Sequence, residues 1–317
     1  MNELRESILR SNMDIAGNPD NLKREYDANS GCREFNMAKP LTLASYSYLN
    51  GLVRSFLTII FLISFTDHTN ASDSYFQILK NDIDSTMTDA SNFGSFILNF
   101  PLNPGLKLAG ATASSLIAMS ADESVRDIFR RNHSQTAANY LNFTNNFGEI
   151  KYSAIYSFAL YGTGFVFKYE PLRRIGRKTA EALALSGSTV MILKFIMGRA
   201  RPFNNLGAFH YTPFNIKDQY ESYPSGHSAV AFTIASVLSN EVNNIYFSAL
   251  IYPLAASTMV SRMYKDYHWL SDVMLGASIG YFYGWLIDNS SNLKTQYGIS
   301  NLNINPTLNG ISLSYQF

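Results

Sequence analysis

The chain has 317 residues, and its 25 lysine and arginine residues balance 24 aspartate and glutamate residues to a formal net charge of +1. This balance gives no electrostatic reason to expect a nucleic-acid partner. Charged residues make up 15% of the chain and apolar residues 46%, which excludes a disordered protein and leaves enough apolar material for a large core. The single cysteine, Cys32, excludes an intramolecular disulfide and a cysteine-based zinc site.

The N-terminal part of the chain has the pattern of an export signal. Lys39 and Arg54 precede an uncharged apolar run over residues 55–65, and Thr69 and Ala71 supply the small side chains of a cleavage site. The run is too short to span a bilayer comfortably. These features predict a signal peptide that is removed on export. The alternative is a cytoplasmic tail followed by an uncleaved anchor.

We therefore expect an N-terminal extension with a signal peptide over residues 1–71, a helical domain over residues 72–290, and a C-terminal tail or hairpin over residues 291–317. Cleavage would remove Cys32, and an exported chain without cysteine is compatible with the bacterial cell envelope, where we expect the mature protein to be periplasmic or membrane-associated. Near the C-terminus, apolar residues from Ile311 to Phe317 alternate with polar ones, which predicts a terminal strand.

The middle of the chain has helical periodicity. A long helix is expected from Arg173 to Ala200, with Pro171 in its first turn and Pro202 beyond its end. Further helix starts are expected at Asp122, Ser134, Ser225 and His268. The mean hydropathy is −0.06, and the apolar runs are shorter than the ~20 residues of a membrane span. We expect buried helices of a soluble or peripheral protein, with short membrane spans as the alternative.

Two cations stand in the first of three segments that carry chemistry, KFIMGRARP at residues 194–202. Lys194 and Arg201 are separated by two helical turns, so a continuous helix would present both on one face. Their neighbours are apolar, and two cations in such surroundings need an anion. Arg199 is off this stripe and is expected to be solvated.

The second segment, PSGH at residues 224–227, precedes an apolar run and predicts a helix N-terminus. Ser225 is the expected N-cap, Gly226 allows a ligand to approach the backbone, and His227 lies in the first turn. Free N–H groups and the helix dipole make this an anion site.

The third segment is SRMYKDYHWLSD at residues 261–272. His268 and Asp272 are four residues apart, so on one helical face Asp272 would accept the proton of one His268 ring nitrogen. The other nitrogen would then present its lone pair as a nucleophile.

Together the segments read K-x6-RP, PSGH and SR-x5-H-x3-D. This signature resembles that of the type-2 phosphatidic acid phosphatase superfamily, which also contains class A acid phosphatases and vanadium-dependent haloperoxidases. The match is tight from Lys194 to Asp272 and loose in the surrounding helices. The resemblance implies a mainly α fold, a helical bundle, to which the sequence pattern adds a short β-like C-terminal tail.

The resemblance also implies a role for each matching residue. His268 would attack phosphorus, Asp272 would orient it, and His227 would protonate the departing oxygen. The implied phosphate-binding residues are Lys194, Arg201, Ser225, Gly226 and Arg262. Fixed cations would then neutralise the phosphoryl oxygens, so neither a metal ion nor another cofactor is expected.

The expected function is that of a metal-independent phosphatase of the acid or lipid phosphatase type, acting through a phosphohistidine intermediate. Its substrate would be a phosphomonoester or pyrophosphate, favouring a membrane lipid such as phosphatidic acid, phosphatidylglycerophosphate, undecaprenyl pyrophosphate or lipid A. Besides this substrate, the expected partner is a membrane surface, and the oligomeric state stays open. Two alternatives are a vanadate-dependent haloperoxidase and a non-catalytic envelope protein that binds phosphorylated lipid.

Overall fold

The structure is a computed structural model, and it describes residues 74–292, 302–307 and 310–315. The signal peptide expected within residues 1–71 lies outside the described residues. All of the described residues belong to one compact unit, Thr69–Phe317.

The described part of the chain forms nine α-helices and one β-hairpin, which confirms the expected mainly α class. The helices are α1 (Tyr75–Asn99), α2 (Leu102–Ala118), α3 (Asp122–Arg131), α4 (Gln135–Asn145), α5 (Ile150–Val166), α6 (Glu170–Met197), α7 (Gly226–Val242), α8 (Ile245–Tyr264) and α9 (Leu270–Asp288). The strands β1 (Leu302–Thr307) and β2 (Gly310–Tyr315) pair antiparallel, and β1 lies against α1. The expected terminal strand is therefore present as β2.

Several helices begin where the sequence predicts because their caps are local. The Ser134 hydroxyl oxygen accepts the backbone N–H of Ala137 at 3.2 Å, and that of Ser225 accepts the N–H of Ser228 at 3.4 Å. Pro171 lies in the first turn of α6, where its missing N–H costs no helical hydrogen bond.

The long helix α6 ends at Met197, three residues before the expected end at Ala200. Gly198 follows in the left-handed conformation, with φ of 57°, and its N–H donates to the carbonyl oxygen of Lys194 at 2.9 Å. A Cβ atom on Gly198 would lie 1.8 Å from the carbonyl oxygen of Thr212. This glycine therefore turns the chain out of the helix and into the loop that borders the site.

Helices α7 and α9 pack on each other at the centre of the fold, and α6 contacts both. Two glycines of α9 make the approach close. A Cβ atom on Gly276 would lie 2.2 Å from the carbonyl oxygen of Ser225, and one on Gly280 would lie 2.1 Å from that of Ala229. The first turn of α7, which carries the PSGH segment, is therefore positioned by direct backbone packing on α9.

The expectation of buried helices holds for α7 and α9, whereas other helices expose apolar side chains on their outer surface. Side chains more than half exposed include Phe76, Phe158, Met191, Ile192, Ile245 and Leu250. These helices are apolar on more than one face, and packing buries only the inner one. Within the described ranges, α6 is the one helix that is long and apolar enough, by length and composition, to cross a bilayer.

Candidate active site

Three cations from separate parts of the chain form the first half of the site. Lys194 lies in the last turn of α6, Arg262 in the last turn of α8, and Arg201 in the segment after α6. The guanidinium groups of Arg201 and Arg262 contact the ring of Tyr267, at 5.5 and 4.5 Å from its centroid. A continuous helix was expected to place Lys194 and Arg201 on one face. Instead α6 ends before Arg201, and the turn at Gly198 brings the two cations together.

Among the described residues, this cation cluster forms one ion pair with a carboxylate, between Arg201 and Asp218. Arg201 and Arg262 are buried, yet the Nε atom of each lacks a hydrogen-bond partner among the residues that the structure describes. Asp218, which pairs with Arg201 at 2.7 Å, is itself largely exposed. Burial and the charge of Arg201 lower the pKa of Arg262 to about 10. The cluster is therefore suited to an anion with several oxygens.

The N-terminus of α7 adjoins these cations. Ser225 is its N-cap, and the Ser225 N–H donates to the carbonyl oxygen of Asp272 at 2.9 Å. A Cβ atom on Gly226 would lie 3.9 Å from Cε of Lys194, so the helix terminus and the ammonium group border the same space. The positive end of the α7 dipole thus adds to the anion-binding character of the cluster.

His268 is buried beside the cations, with 3% of its surface exposed. Its Nδ1 atom lies 2.8 Å from the carbonyl oxygen of Ser222, which can only accept, so Nδ1 carries the proton and Nε2 keeps its lone pair. Burial, followed by the charges of Lys194 and the two arginines, lowers the pKa of His268 well below its usual value. His268 is therefore a neutral imidazole in the ligand-free protein at neutral pH.

Asp272 has other partners than the sequence predicts. Its Oδ2 accepts the N–H of Trp269 at 2.8 Å and the hydroxyl of Ser222 at 2.5 Å, while Oδ1 accepts Arg199 at 2.6 Å. Its Oδ2 is 3.5 Å from Nδ1 of His268, too far for a good hydrogen bond. The reason is that α9 begins after its N-cap Trp269, so His268 precedes the helix and does not share a face with Asp272.

Arg199 is fully buried, whereas the sequence suggested a solvated side chain. Its guanidinium group donates to the carboxylates of Asp272 and Asp122 at 2.6 and 2.7 Å, to the Ser271 hydroxyl at 2.7 Å and to the Ala208 carbonyl at 2.8 Å. The sequence indicated Asp122 only as a helix start. The one sign of this network in the sequence is the second arginine inside the K-x6-RP segment.

His227 lies in the first turn of α7, and its Nε2 atom is 3.3 Å from Oε2 of Glu149. Burial lowers the pKa of His227, the contact with Glu149 opposes that shift, and Arg262 adds to it. The sequence does not single out Glu149, which precedes His227 by 78 positions and has no motif around it. The structure brings the predicted site residues into one region and adds Glu149, Arg199 and Asp122.

A family comparison agrees with the resemblance that the three motifs carry. Residues 177–295 match the model of the PAP2 superfamily, and this range contains all three segments. Over this range the chain is similar to the PAP2 superfamily.

The chain is also similar to individual proteins. It is 26% identical over 182 residues to the lipid A 1-phosphatase of Porphyromonas gingivalis, covering 56% of this chain and 37% of that protein. It is 35% identical over 115 residues to the lipid A 1-phosphatase of Rhizobium etli, covering 35% of this chain and 47% of that protein. The chain thus spans less than half the length of these two curated relatives.

Two solved structures are similar at lower identity. LpxE from Aquifex aeolicus is 23% identical, with 52% of this chain and 93% of that one covered and a TM-score of 0.42. The PAP2 type phosphatidylglycerolphosphate phosphatase from Bacillus subtilis is 18% identical, with 60% and 98% covered and a TM-score of 0.48.

Proposed function

We propose that this protein is a metal-independent phosphatase that removes phosphate from a phosphorylated membrane lipid through a phosphohistidine intermediate. One observation carries the proposal. A neutral imidazole with a free Nε2 lone pair lies among buried cations, two of which have guanidinium Nε atoms without partners in the described structure. Such a site combines a nucleophile with donors for the oxygens of the group that it attacks.

In the first step, Nε2 of His268 attacks phosphorus and the bond from phosphorus to the ester oxygen breaks. Lys194, Arg201 and the N-terminus of α7 neutralise the equatorial oxygens as the charge on them grows. His227 gives a proton to the departing oxygen, so the alcohol leaves neutral.

In the second step, water attacks the phosphohistidine on the side that the alcohol has left. His227, now neutral, takes a proton from that water, and the bond between phosphorus and Nε2 breaks. Phosphate leaves, and both histidines return to their starting protonation states. Ser222 holds the Nδ1 proton of His268 in place throughout, so the same ring nitrogen reacts in every cycle.

A lipid substrate is supported by the surface beside the cation cluster. Met191, Ile192 and Phe195 are exposed on the last turns of α6, next to Lys194 in sequence. The ring of Phe195 contacts that of the exposed Phe214, with centroids 5.5 Å apart. An apolar surface that adjoins an anion site suits a substrate with a phosphate head and hydrocarbon chains in a membrane.

Among lipids, a phosphorylated glycolipid of the lipid A type is the first substrate to test, because the two curated relatives described above are lipid A 1-phosphatases. The proposal includes action at a membrane of the bacterial envelope after export through residues 1–71. N-terminal sequencing of the mature protein tests the export step.

The full chain in detergent should release phosphate in EDTA from at least one member of a lipid panel. The panel contains lipid A, phosphatidic acid, phosphatidylglycerophosphate and undecaprenyl pyrophosphate, with p-nitrophenyl phosphate as the soluble comparison. The matched variant His268→Ala should release none. Absence of release by folded protein would contradict the proposal, and bromide oxidation after addition of vanadate would favour a haloperoxidase.

A further inference from the structure

We propose that Glu149 is a positioning residue for His227. Its carboxylate accepts the Nε2 proton of the ring, orients the imidazole, and leaves the Nδ1 proton for the departing oxygen. The role of His227 as the acid rests on the proposed function, whereas the contact between the two side chains does not.

The backbone before Glu149 is packed directly against His227. Asn146–Gly148 form a turn of 3-10 helix, and Glu149 follows as the N-cap of α5. A Cβ atom on Gly148 would lie 2.5 Å from the carbonyl oxygen of His227 and 2.6 Å from a methyl carbon of Thr258. The segment therefore has little freedom to move away, and the carboxylate is delivered to the imidazole by backbone packing.

Several positive charges surround the pair of Glu149 and His227. His227 is approached by Lys194 from α6 and Arg262 from α8, both of which disfavour an imidazolium ion. Lys265, just after α8, and Lys151, on α5, also act on Glu149. Hydrogen bonding to His227 lowers the pKa of Glu149, so it is ionised at neutral pH. Glu149 is the carboxylate that favours the protonated ring.

The role has a chemical consequence for the acid step. An imidazolium ion has two N–H groups, and Glu149 accepts the one on Nε2. The proton that moves to the ester oxygen then comes from Nδ1, while Glu149 stays ionised and transfers no proton itself. A substrate whose leaving group is already a stable anion does not need this proton, so its hydrolysis should depend less on Glu149, which then acts only through the base role of His227 in the second step.

The test compares wild type with Glu149→Gln, which keeps the size of the side chain and removes its charge. The control is Glu170→Gln, since Glu170 pairs with Arg174 and lies outside the site. The pKa of His227 is read by NMR on protein with isotope-labelled histidine rings, which is practical because the chain has five histidines. His227→Asn assigns the signal.

In Glu149→Gln, the pKa of His227 should fall by about 1 pH unit because a partly exposed opposite charge is lost. The alkaline limb of kcat/KM for an alkyl phosphate should move to lower pH by a similar amount. Hydrolysis of p-nitrophenyl phosphate at neutral pH should change less than about threefold, whereas alkyl phosphate hydrolysis should fall about tenfold or more.

An unchanged His227 pKa in Glu149→Gln would overturn the inference, as would equal losses on both substrates with an unmoved alkaline limb. A wild-type protein without any phosphatase activity would instead contradict the proposed function. In that case the NMR titration still tests the coupling between Glu149 and His227, so the two failures are distinguishable.

Discussion

Replacement of Arg199 by methionine tests the buried network that supports His268. Arg199 is the cation between the carboxylates of Asp122 and Asp272, at 2.7 and 2.6 Å, and the side chains of all three are fully buried. Removing one partner of a buried ion pair costs about 3–5 kcal/mol, a large part of the 5–15 kcal/mol that stabilises a typical domain. Arg199→Met should therefore lower the free energy of unfolding by at least about 3 kcal/mol.

The deficit should depend on pH in a defined direction. Burial already raises the pKa of Asp122 and of Asp272, and Arg199 opposes the rise in both. Without the guanidinium group, the folded-state pKa values rise further above the unfolded values. Stability from such groups is present at low pH and is lost as pH rises, so the deficit of the variant should be larger at pH 7.5 than at pH 5.

Denaturant unfolding followed by tryptophan fluorescence measures the effect, because the Trp269 ring centroid is 5.6 Å from the Arg199 guanidinium carbon. The double variant Arg199→Met/Asp122→Asn leaves one uncompensated carboxylate in place of two. Its loss should be smaller than the sum of the two single losses by about 1 kcal/mol or more. Additive losses, or a deficit independent of pH, would refute the reasoning.

Three further outcomes follow from the packing, the electrostatics and the surface of the site. Gly276→Ala should lower the free energy of unfolding by about 1–3 kcal/mol and reduce phosphate release, because its Cβ would meet the carbonyl oxygen of Ser225 at 2.2 Å. Thermal unfolding measures the loss, and Gly110→Ala is the control because its Cβ would have open space. The acid limb of the pH profile of kcat/KM should lie below pH 6.5, since His268 must be neutral and its pKa is lowered; a limb above 6.5 would contradict this. Phe214→Ser should reduce turnover of a lipid phosphate in vesicles several-fold and leave p-nitrophenyl phosphate hydrolysis unchanged, so equal losses on both substrates would remove the lipid role of this surface.

Much of the fold could be predicted because its signals are local. The hydroxyl oxygens of the N-caps Ser134 and Ser225 accept N–H groups three residues later. Pro171 suits the first turn of α6 because proline has no backbone N–H to pair there. Predictions that assumed a continuous helix were less accurate. The turn at Gly198 ends α6 before the expected Ala200. The N-cap of α9 is Trp269, so His268 lies before the helix.

The residues proposed to react were also accessible from the sequence, because the spacing within K-x6-RP, PSGH and SR-x5-H-x3-D carries the resemblance. Their supporting partners were not. The acceptor for Nδ1 of His268 is a backbone carbonyl 46 positions away, the second carboxylate on Arg199 is 77 positions away, and the carboxylate on His227 is 78 positions away.

The sequence by itself thus determined which residues make up the candidate site and the class of the fold, since motif spacing and helix caps depend on neighbouring residues. Only the tertiary structure decided which oxygen accepts the His268 proton, that Arg199 is buried between two carboxylates, and that Glu149 meets His227. The physical reason is that these contacts depend on where helix ends meet in space. That meeting is set by the close packing of α7 on α9 and of the Gly148 turn on His227.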